Sequence, residues 1–210
     1  MKKIHFVAFL VGVLLIAPTS FLWSQKKSKN INLYLGGGIN LAKAEVAGYF
    51  NQSTQTTARF SYGFFADRIV RGNWAVRSGL FYNGLGRSFK VGEKSQQEEF
   101  NYISVPLQAK ISFKNSPFSF YAGPQFSYLL NATAKPDAST KQLITGNFQT
   151  LNVGIAGGIL VAFTKRFSMG FDYQSSLGST LDANYADNLP DGTKYQPVAF
   201  SLRANVKLSK

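Results

Sequence analysis

Apolar and polar residues alternate along most of this chain. In YISVPLQAKISF, residues 102–113, every second side chain is apolar, and the residues between are Tyr, Ser, Pro, Gln, Lys and Ser. A period of two is typical of a β-strand with one apolar and one polar face. The pattern therefore predicts a strand here, and its apolar face must contact either a protein core or lipid.

Seven further stretches show the same alternation. Most have the roughly 9 to 11 residues that a tilted transmembrane strand needs. With residues 102–113 they predict eight strands. In chain order the seven are NINLYLGGGINL, RFSYGFFA, WAVRSGLFY, FSFYAGPQFSYLL, LNVGIAGGILVAF, FSMGFDYQS and VAFSLRANVKL.

The predicted strands are joined alternately by short and long connections. DRIVRGN, KNSP and TKR are short, whereas the other connections are longer and polar and cover 42–58, 84–99, 131–147 and 176–196. Short turns on one side and long loops on the other are typical of an outer-membrane barrel, with the turns in the periplasm. We therefore predict an all-β fold, an eight-stranded antiparallel up-and-down transmembrane β-barrel formed by residues 25–210.

The first 24 residues have the pattern of a secretory signal peptide. Lys2 and Lys3 precede an apolar run from Ile4 to Ala17. This run is shorter than the about 20 residues of a membrane-spanning helix, and the sequence PTSFLWSQ follows it. We predict a signal peptide at 1–24, cleavage after Ser24 and export to the cell outer membrane.

The composition of the polar face favours lipid on the apolar side. That face carries mostly Gly, Ser, Asn, Gln and Tyr, which fit a crowded lumen better than a solvated surface. The alternative is a soluble extracytoplasmic barrel that binds an apolar ligand, with the two faces reversed. Pro106 and Pro124 remove ladder donors, so we expect a bulge at each. We also expect interfacial aromatic girdles from Tyr82, Phe100, Phe113, Phe118, Phe163 and Phe167.

Several of these segments carry a resemblance to a known family. YISVPLQAKISF, FSFYAGPQFSYLL, RSGLFYNGLG and NVGIAGGILVAFTKRFSMGFDYQSSLG resemble the PorT-type small outer-membrane β-barrels of Bacteroidetes. The likeness covers nearly all of residues 25–210 and implies the same barrel fold. Most family members have no known function and one is tied to a secretion apparatus, a role that does not transfer with a fold. The chain ends in NVKLSK, whereas many outer-membrane barrels end in an aromatic residue.

The residue types present argue against catalysis. His5 is the only histidine, it lies in the predicted signal peptide, and the chain has no cysteine. Ser-His and Cys-His nucleophilic pairs and zinc sites with nitrogen or sulfur ligands are therefore excluded from the mature chain. Asp182, Asp187 and Asp191 share one loop but lack the spacing of a calcium loop. We expect no enzymatic activity, no metal and no cofactor.

Four charged residues fall on the polar phase of the predicted strands: Arg77, Lys110, Asp172 and Arg203. Charges removed from water must be paired or stay hydrated. We expect Asp172 to pair with Arg203 on the neighbouring strand, or with one of the other two cations across the lumen. The network either plugs the lumen or lines a small anion-selective passage. Eight strands leave an interior that side chains just fill, which favours the plug.

These features predict a structural role, or a binding role through the extracellular loops. The alternative is a narrow porin-like channel for small solutes. The formal charge of +13 falls to +11 without Lys2 and Lys3, and the basic residues are spread over strands, turns and loops. We therefore expect contacts with outer-membrane lipid and lipopolysaccharide, and with protein partners through the loops, but not with nucleic acid. We expect a monomer.

Overall fold

The computed structural model divides the chain into two units, Met1–Asn30 and Ile31–Lys210, and the second unit forms the barrel. The predicted signal peptide, 1–24, lies outside the residues that the structure describes. The described residues are 31–47, 54–91, 94–136, 140–189 and 192–209.

The described residues form nine strands and two short helices. The strands are β1 Ile31–Ala47, β2 Thr57–Arg71, β3 Trp74–Val91, β4 Lys94–Ser112, β5 Phe118–Pro136, β6 Gln142–Leu143, β7 Leu151–Ala162, β8 Phe167–Ser176 and β9 Lys194–Lys207. A 3₁₀ turn spans Thr145–Asn147 and the helix α1 spans Ala183–Ala186.

Eight of these strands close into an antiparallel ring. Each pairs with its neighbours in the order β1, β2, β3, β4, β5, β7, β8, β9, and β9 pairs again with β1. The two-residue β6 pairs with β5 alone, above the start of β7. This ring confirms the predicted eight-stranded up-and-down barrel. The first residue of β1, Ile31, and the last residue of β9, Lys207, both lie on the side of the short turns.

The strands extend further into the predicted loops than the sequence pattern indicated. Nearly all of 84–99 belongs to β3 and β4, which pair as far as Val91 and Lys94. β1 likewise continues to Ala47 and β5 to Pro136. These segments lack apolar alternation because they lie beyond the lipid, yet their backbone ladders continue. The barrel wall therefore projects above the apolar belt on the long-loop side.

The apolar faces of the ring point outward. Large hydrophobic side chains remain 37–72% exposed along all eight ring strands; examples are Leu35, Phe60, Val76, Leu107, Phe126, Ile155, Phe171 and Leu202. Among the described residues no helix is long and apolar enough to cross a membrane. A belt of this kind is what lipid contacts in a membrane barrel. The alternative of a soluble barrel with reversed faces is therefore wrong.

Four of the predicted girdle residues lie on the outside near the short turns, namely Phe113, Phe118, Phe163 and Phe167. The prediction is wrong for Phe100, which is only 1% exposed. Phe100 shares the inward phase of Tyr102 and Ser104 on β4, and it packs in an apolar cluster inside the upper part of the barrel.

The prolines interrupt the wall in a way that the sequence did not predict. Pairing of β3 with β4 skips the positions at Val105 and Pro106, and pairing of β4 with β5 skips those at Leu107 and Gln108, opposite Pro124. The register is the same on both sides of each gap, so the expected bulges are wrong. We call Val105–Gln108, together with the skipped residues that face it, the proline seam; the facing residues are Gly79, Leu80, Gly123 and Pro124.

Candidate functional site

The lower lumen, the half nearer the short turns, is built around Asp67 of β2. Arg77 lies directly opposite on β3 and donates to both carboxylate oxygens of Asp67, with Nε–Oδ1 at 2.7 Å and Nη2–Oδ2 at 3.0 Å. Lys110 of β4 donates from Nζ to Oδ2 at 2.6 Å. All three side chains are buried. One carboxylate therefore holds two cations, in the paired and hydrogen-bonded state that buried charges need.

Aromatic rings enclose these cations. The Arg77 guanidinium lies 4.3 Å from the ring centroid of Phe65 and 4.5 Å from that of Tyr121, which reaches in from β5. Lys110 Nζ lies 5.8 Å from the centroid of Tyr34, and Tyr34 stacks on Phe65. Such cation–π contacts strengthen when water is excluded. The contact of Arg77 with Tyr121 crosses the inner face of β4 and joins β3 to β5 inside the lumen.

A second charged group occupies the other side of the lumen. Arg203 Nη2 of β9 lies 3.6 Å from Asp172 Oδ2 of β8, and Tyr121 donates its hydroxyl to Asp172 Oδ1. The Arg203 guanidinium covers the Phe81 ring at 4.4 Å from its centroid. Tyr121 thus contacts both charged groups, because it stacks on Arg77 and hydrogen-bonds Asp172.

The four residues selected from the sequence all line the lumen, but they do not form one four-membered network. Asp172 pairs with Arg203, whereas Arg77 and Lys110 pair with Asp67. Sequence reasoning missed Asp67 because it assigned DRIVRGN to a turn. The alternation of β2 indicates that Asp67 points inward. Phe60, Tyr62 and Phe64 point outward, and Asp67 lies on the opposite phase of the strand.

A layer of amides and hydroxyls lies above the charges. Asn40 of β1 donates to Asn83 Oδ1 at 2.7 Å and accepts from Ser201 at 2.6 Å. Asn83 and Gln125 both donate to Gln174 Oε1, at 2.8 and 2.9 Å. The layer links β1, β3, β5, β8 and β9, so side chains from all sides of the ring meet at its centre.

Little space remains among these side chains. A cavity of about 20 Å³ is lined by Arg77, Gln108, Tyr121, Asp172 and Arg203, among others. One water needs roughly 10–15 Å³ measured in this way, so the cavity has room for one or two waters. The lower and middle lumen is therefore packed rather than open.

The upper lumen, on the long-loop side, is filled by an apolar cluster. Phe100, Tyr102 and Leu129 of the barrel wall are nearly fully buried. Phe148 and Leu181 come from the two connections on either side of β7 and β8 and form an isolated β-bridge to each other. Phe148 packs edge-on against Phe100, with ring centroids 4.8 Å apart. The loops thus close the barrel with a hydrophobic cap.

Inside this end of the barrel, Arg87 forms a partly buried ion pair with Glu98. The Nε–Oε2 distance is 2.6 Å, and Tyr195 donates its hydroxyl to the same carboxylate at 3.0 Å. These residues lie beyond the lipid-facing belt. Burial, together with the charge of Glu98, raises the pKa of Tyr195 well above its usual value, so its hydroxyl stays protonated and keeps donating.

Glu99, next along β4, faces outward and has different partners. Arg59 Nη2 of β2 lies 2.8 Å from Glu99 Oε1, and Lys141 Nζ lies 2.8 Å from Oε2. Burial alone would raise the pKa of Glu99, but the hydrogen bonds and charges of Lys141 and Arg59 outweigh it and lower the pKa below 4.5. Lys141 directly precedes β6, so this ion pair fastens β6 to the barrel wall.

The acidic loop supplies no metal site among the described residues. Asp182 caps α1 by accepting from the Asn184 amide at 3.0 Å. No group of three or more His, Cys, Asp or Glu side chains that could hold a metal ion occurs in the described part of the chain.

An outward apolar belt around a closed ring, with a packed polar lumen, defines the chain as a small membrane β-barrel. The model of the family described as "Outer membrane protein beta-barrel domain" matches residues 23–182, and the chain belongs to that family. This membership confirms the cell outer membrane as its location.

Solved structures of bacterial surface and outer-membrane proteins are similar to this chain. Ail, the attachment invasion locus protein of Yersinia pestis, is 12% identical with a TM-score of 0.50, and the match covers 86% of this chain and 100% of that one. Neisserial surface protein A is 17% identical with a TM-score of 0.48, over 84% of this chain and 97% of that one. OprG of Pseudomonas aeruginosa is 12% identical with a TM-score of 0.40, over 85% and 94%. No curated protein matches the chain.

Proposed function

We propose that this protein is a closed outer-membrane barrel that acts structurally, or by binding partners through its extracellular end, and does not conduct solutes. The observation that carries the proposal is the filled lumen. The Asp67 cluster and the Asp172 group fill the lower half, and the apolar cap fills the upper half. A water-filled path would require both to rearrange.

The extracellular end offers a surface for partners. Leu143 is 75% exposed and Leu177 62% exposed, and both lie above or at the edge of the lipid-facing belt. Lys141, next to β6, and Arg59 share the single carboxylate of Glu99, so this group keeps one net positive charge. Exposed apolar side chains beside cations favour contact with other proteins or with the phosphates of lipopolysaccharide. We propose that the barrel is a monomer and that it is a PorT-type member of its family.

The residue types favour a non-enzymatic role. Residues after the predicted signal peptide include neither His nor Cys. The carboxylates of Asp67, which is buried, and Glu98, which is partly buried, are each held by an arginine rather than presented to a substrate. We propose that the protein carries out no catalysis and needs no cofactor.

Single-channel recording tests the proposal. The purified protein is refolded and inserted into a planar bilayer at high salt concentration. We expect no conductance steps. Stable conductance steps would contradict the proposal and support the narrow channel. Phe148→Ala together with Leu181→Ala weakens the cap without touching the lower lumen. The silence should persist in this double variant because the charged layer still fills the barrel.

A further inference from the structure

The outer surface of the barrel carries a groove that borders the proline seam, because Gly123 and Pro124 of the seam line it. It has a volume of about 870 Å³, within the range of ligand sites. Its floor is formed by the small outward residues Ala109, Ala122 and Gly157 on three successive ring strands. Phe120 and Ile159 are among the large apolar side chains that wall it. The groove is almost entirely apolar and lies within the lipid-facing belt.

The groove ends at the periplasmic side of the membrane. Trp74 lines it, and Trp74 is the first residue of β3, directly after the short turn from β2. Trp74 pairs with Ile111 of β4, which also lines the groove. Short turns face the periplasm in barrels of this type, so lipid in contact with this end of the groove, which we call its mouth, belongs to the periplasmic leaflet.

Cations flank this mouth. Arg71 pairs with Trp74 across the turn and is exposed. Lys114 is exposed in the next turn, and a hydrogen bond of 3.0 Å from the Ser112 amide to the Asn73 carbonyl joins the two turns. The described residues of the three short turns include no acidic side chain. An apolar groove with a basic mouth matches an apolar chain that carries an anionic head.

We propose that this groove binds one anionic phospholipid of the periplasmic leaflet, with an acyl chain over Ala109, Ala122 and Gly157 and the phosphate near Arg71 and Lys114. The small residues let the chain approach the backbone of the seam. There Pro124 offers no N–H to β4, and a fixed hydrocarbon chain shields this gap in the ladder from water. The seam thus remains closed in the membrane although its strands are not fully paired.

Trp74 provides the probe for the test. The sequence has two tryptophans, Trp23 and Trp74. Trp23 lies in the predicted signal peptide, so Trp74 is the only tryptophan of the processed chain. Phosphatidylglycerol with a nitroxide on its acyl chain is titrated into this protein in zwitterionic detergent. We expect saturable quenching of Trp74. A change of Arg71 or Lys114 to Glu should each weaken the apparent affinity roughly fivefold, as expected for a basic group at a lipid surface.

Two matched controls separate the groove from general effects. Ala109→Phe with Ala122→Phe fills the floor from the lipid side and should abolish the saturable component. Ala204→Phe adds the same bulk on β9, which contributes no residue to the groove lining, and should leave it unchanged. Lys90→Glu, at the long-loop end of β3 and far from the short turns, should also leave the affinity unchanged. A heat-dependent shift in gel mobility checks that every variant is folded.

Three results would overturn the proposal. The first is quenching that rises linearly with the probe and is equal in all variants. The second is equal binding of nitroxide-labelled stearate with no effect of Arg71→Glu or Lys114→Glu, which would assign the groove to free fatty acid. The third is a dimer in sedimentation that the floor-filling variant converts to a monomer, which would assign the groove to a second copy of the chain.

Discussion

Asp67 is the single anion that balances two buried cations, Arg77 and Lys110, in the lower lumen. Its two oxygens accept three hydrogen bonds from Arg77 and Lys110, and the exposed fraction of the residue is 2%. Removal of one partner from a buried ion pair costs more than the pair contributes, because the other charge remains buried without compensation. In this lumen two cations depend on one anion.

Replacement of Asp67 by Asn should therefore destabilise the barrel severely. We expect a loss of about 3–5 kcal/mol in the free energy of unfolding, since two buried cations lose their counter-charge. Denaturant unfolding of the protein in phospholipid vesicles measures it. Asp172→Asn is the matched control and should cost less, because Arg203 lies 3.6 Å from its partner and is less buried. An equal loss in both variants would contradict the assignment of Asp67 as the centre of the network.

The sequence could supply the inward residues but not their pairing. Alternation places Arg77, Lys110, Asp172 and Arg203 inside once the outward phase is known. Asp67 was hidden because the alternation of β2 ends with the charged and aliphatic run Asp67–Arg71, which reads as a turn. The pairing of side chains inside a lumen depends on strand register. The hairpin between β2 and β3 closes at Arg71 and Trp74, which places Asp67 opposite Arg77, and the sequence pattern does not locate this turn.

Individual strands contain features that alternation does not reveal. The lipid-facing half of each strand was predictable because lipid imposes a period of two. The upper halves of β3 and β4 carry no such pattern, so the sequence predicts loops where the ladder continues. The apolar cap was missed for the same reason: Phe148 and Leu181 lie in connections, where no periodicity marks a buried side chain.

Pro106 weakens the wall through the donor that it lacks. Pairing of β3 with β4 skips its position. Pro106→Val supplies an N–H, and we expect the free energy of unfolding to rise by about 1 kcal/mol, the net contribution of one hydrogen bond. Amide hydrogen exchange at Gln108 should slow as well. Pro197→Val on β9, where no pairing is skipped, should change neither quantity. A less stable Pro106→Val barrel would show that proline fits this position better than a paired residue does.

The attachment of β6 should depend on pH. Because its neighbours lower the pKa of Glu99 in the folded chain, the unfolded chain binds the proton more readily. The contribution of Glu99 to stability is therefore fully present above about pH 4.5 and is lost as the pH falls through the lower, folded pKa. Amide exchange at Leu143, corrected for its intrinsic rate, should accelerate in this range. Glu99→Gln should exchange fast at every pH, and a persistent pH dependence in that variant would place the titration elsewhere.

At the scale of the whole molecule, the barrel combines two kinds of filling. Charged and amide side chains pack the part within the membrane, and an apolar cap packs the part above it. Eight strands enclose a space that side chains can just fill, so the closed lumen follows from strand number together with the bulk of Arg77, Tyr121 and Arg203. The fold class was predictable from this strand number, whereas the cap depended on contacts between distant loops.

The most direct measurement of a closed lumen uses the absence of cysteine from the chain. Ser104 lies on β4 in the middle lumen and is 1% exposed, whereas Ser116 is exposed in a short turn. Ser104→Cys and Ser116→Cys are treated, folded, with a small charged thiol reagent. A closed lumen predicts rapid modification at position 116 and none at position 104 until the barrel is denatured. Modification of the folded Ser104→Cys protein at a rate close to that of Ser116→Cys would show that water and solutes enter the barrel, which contradicts a plugged lumen.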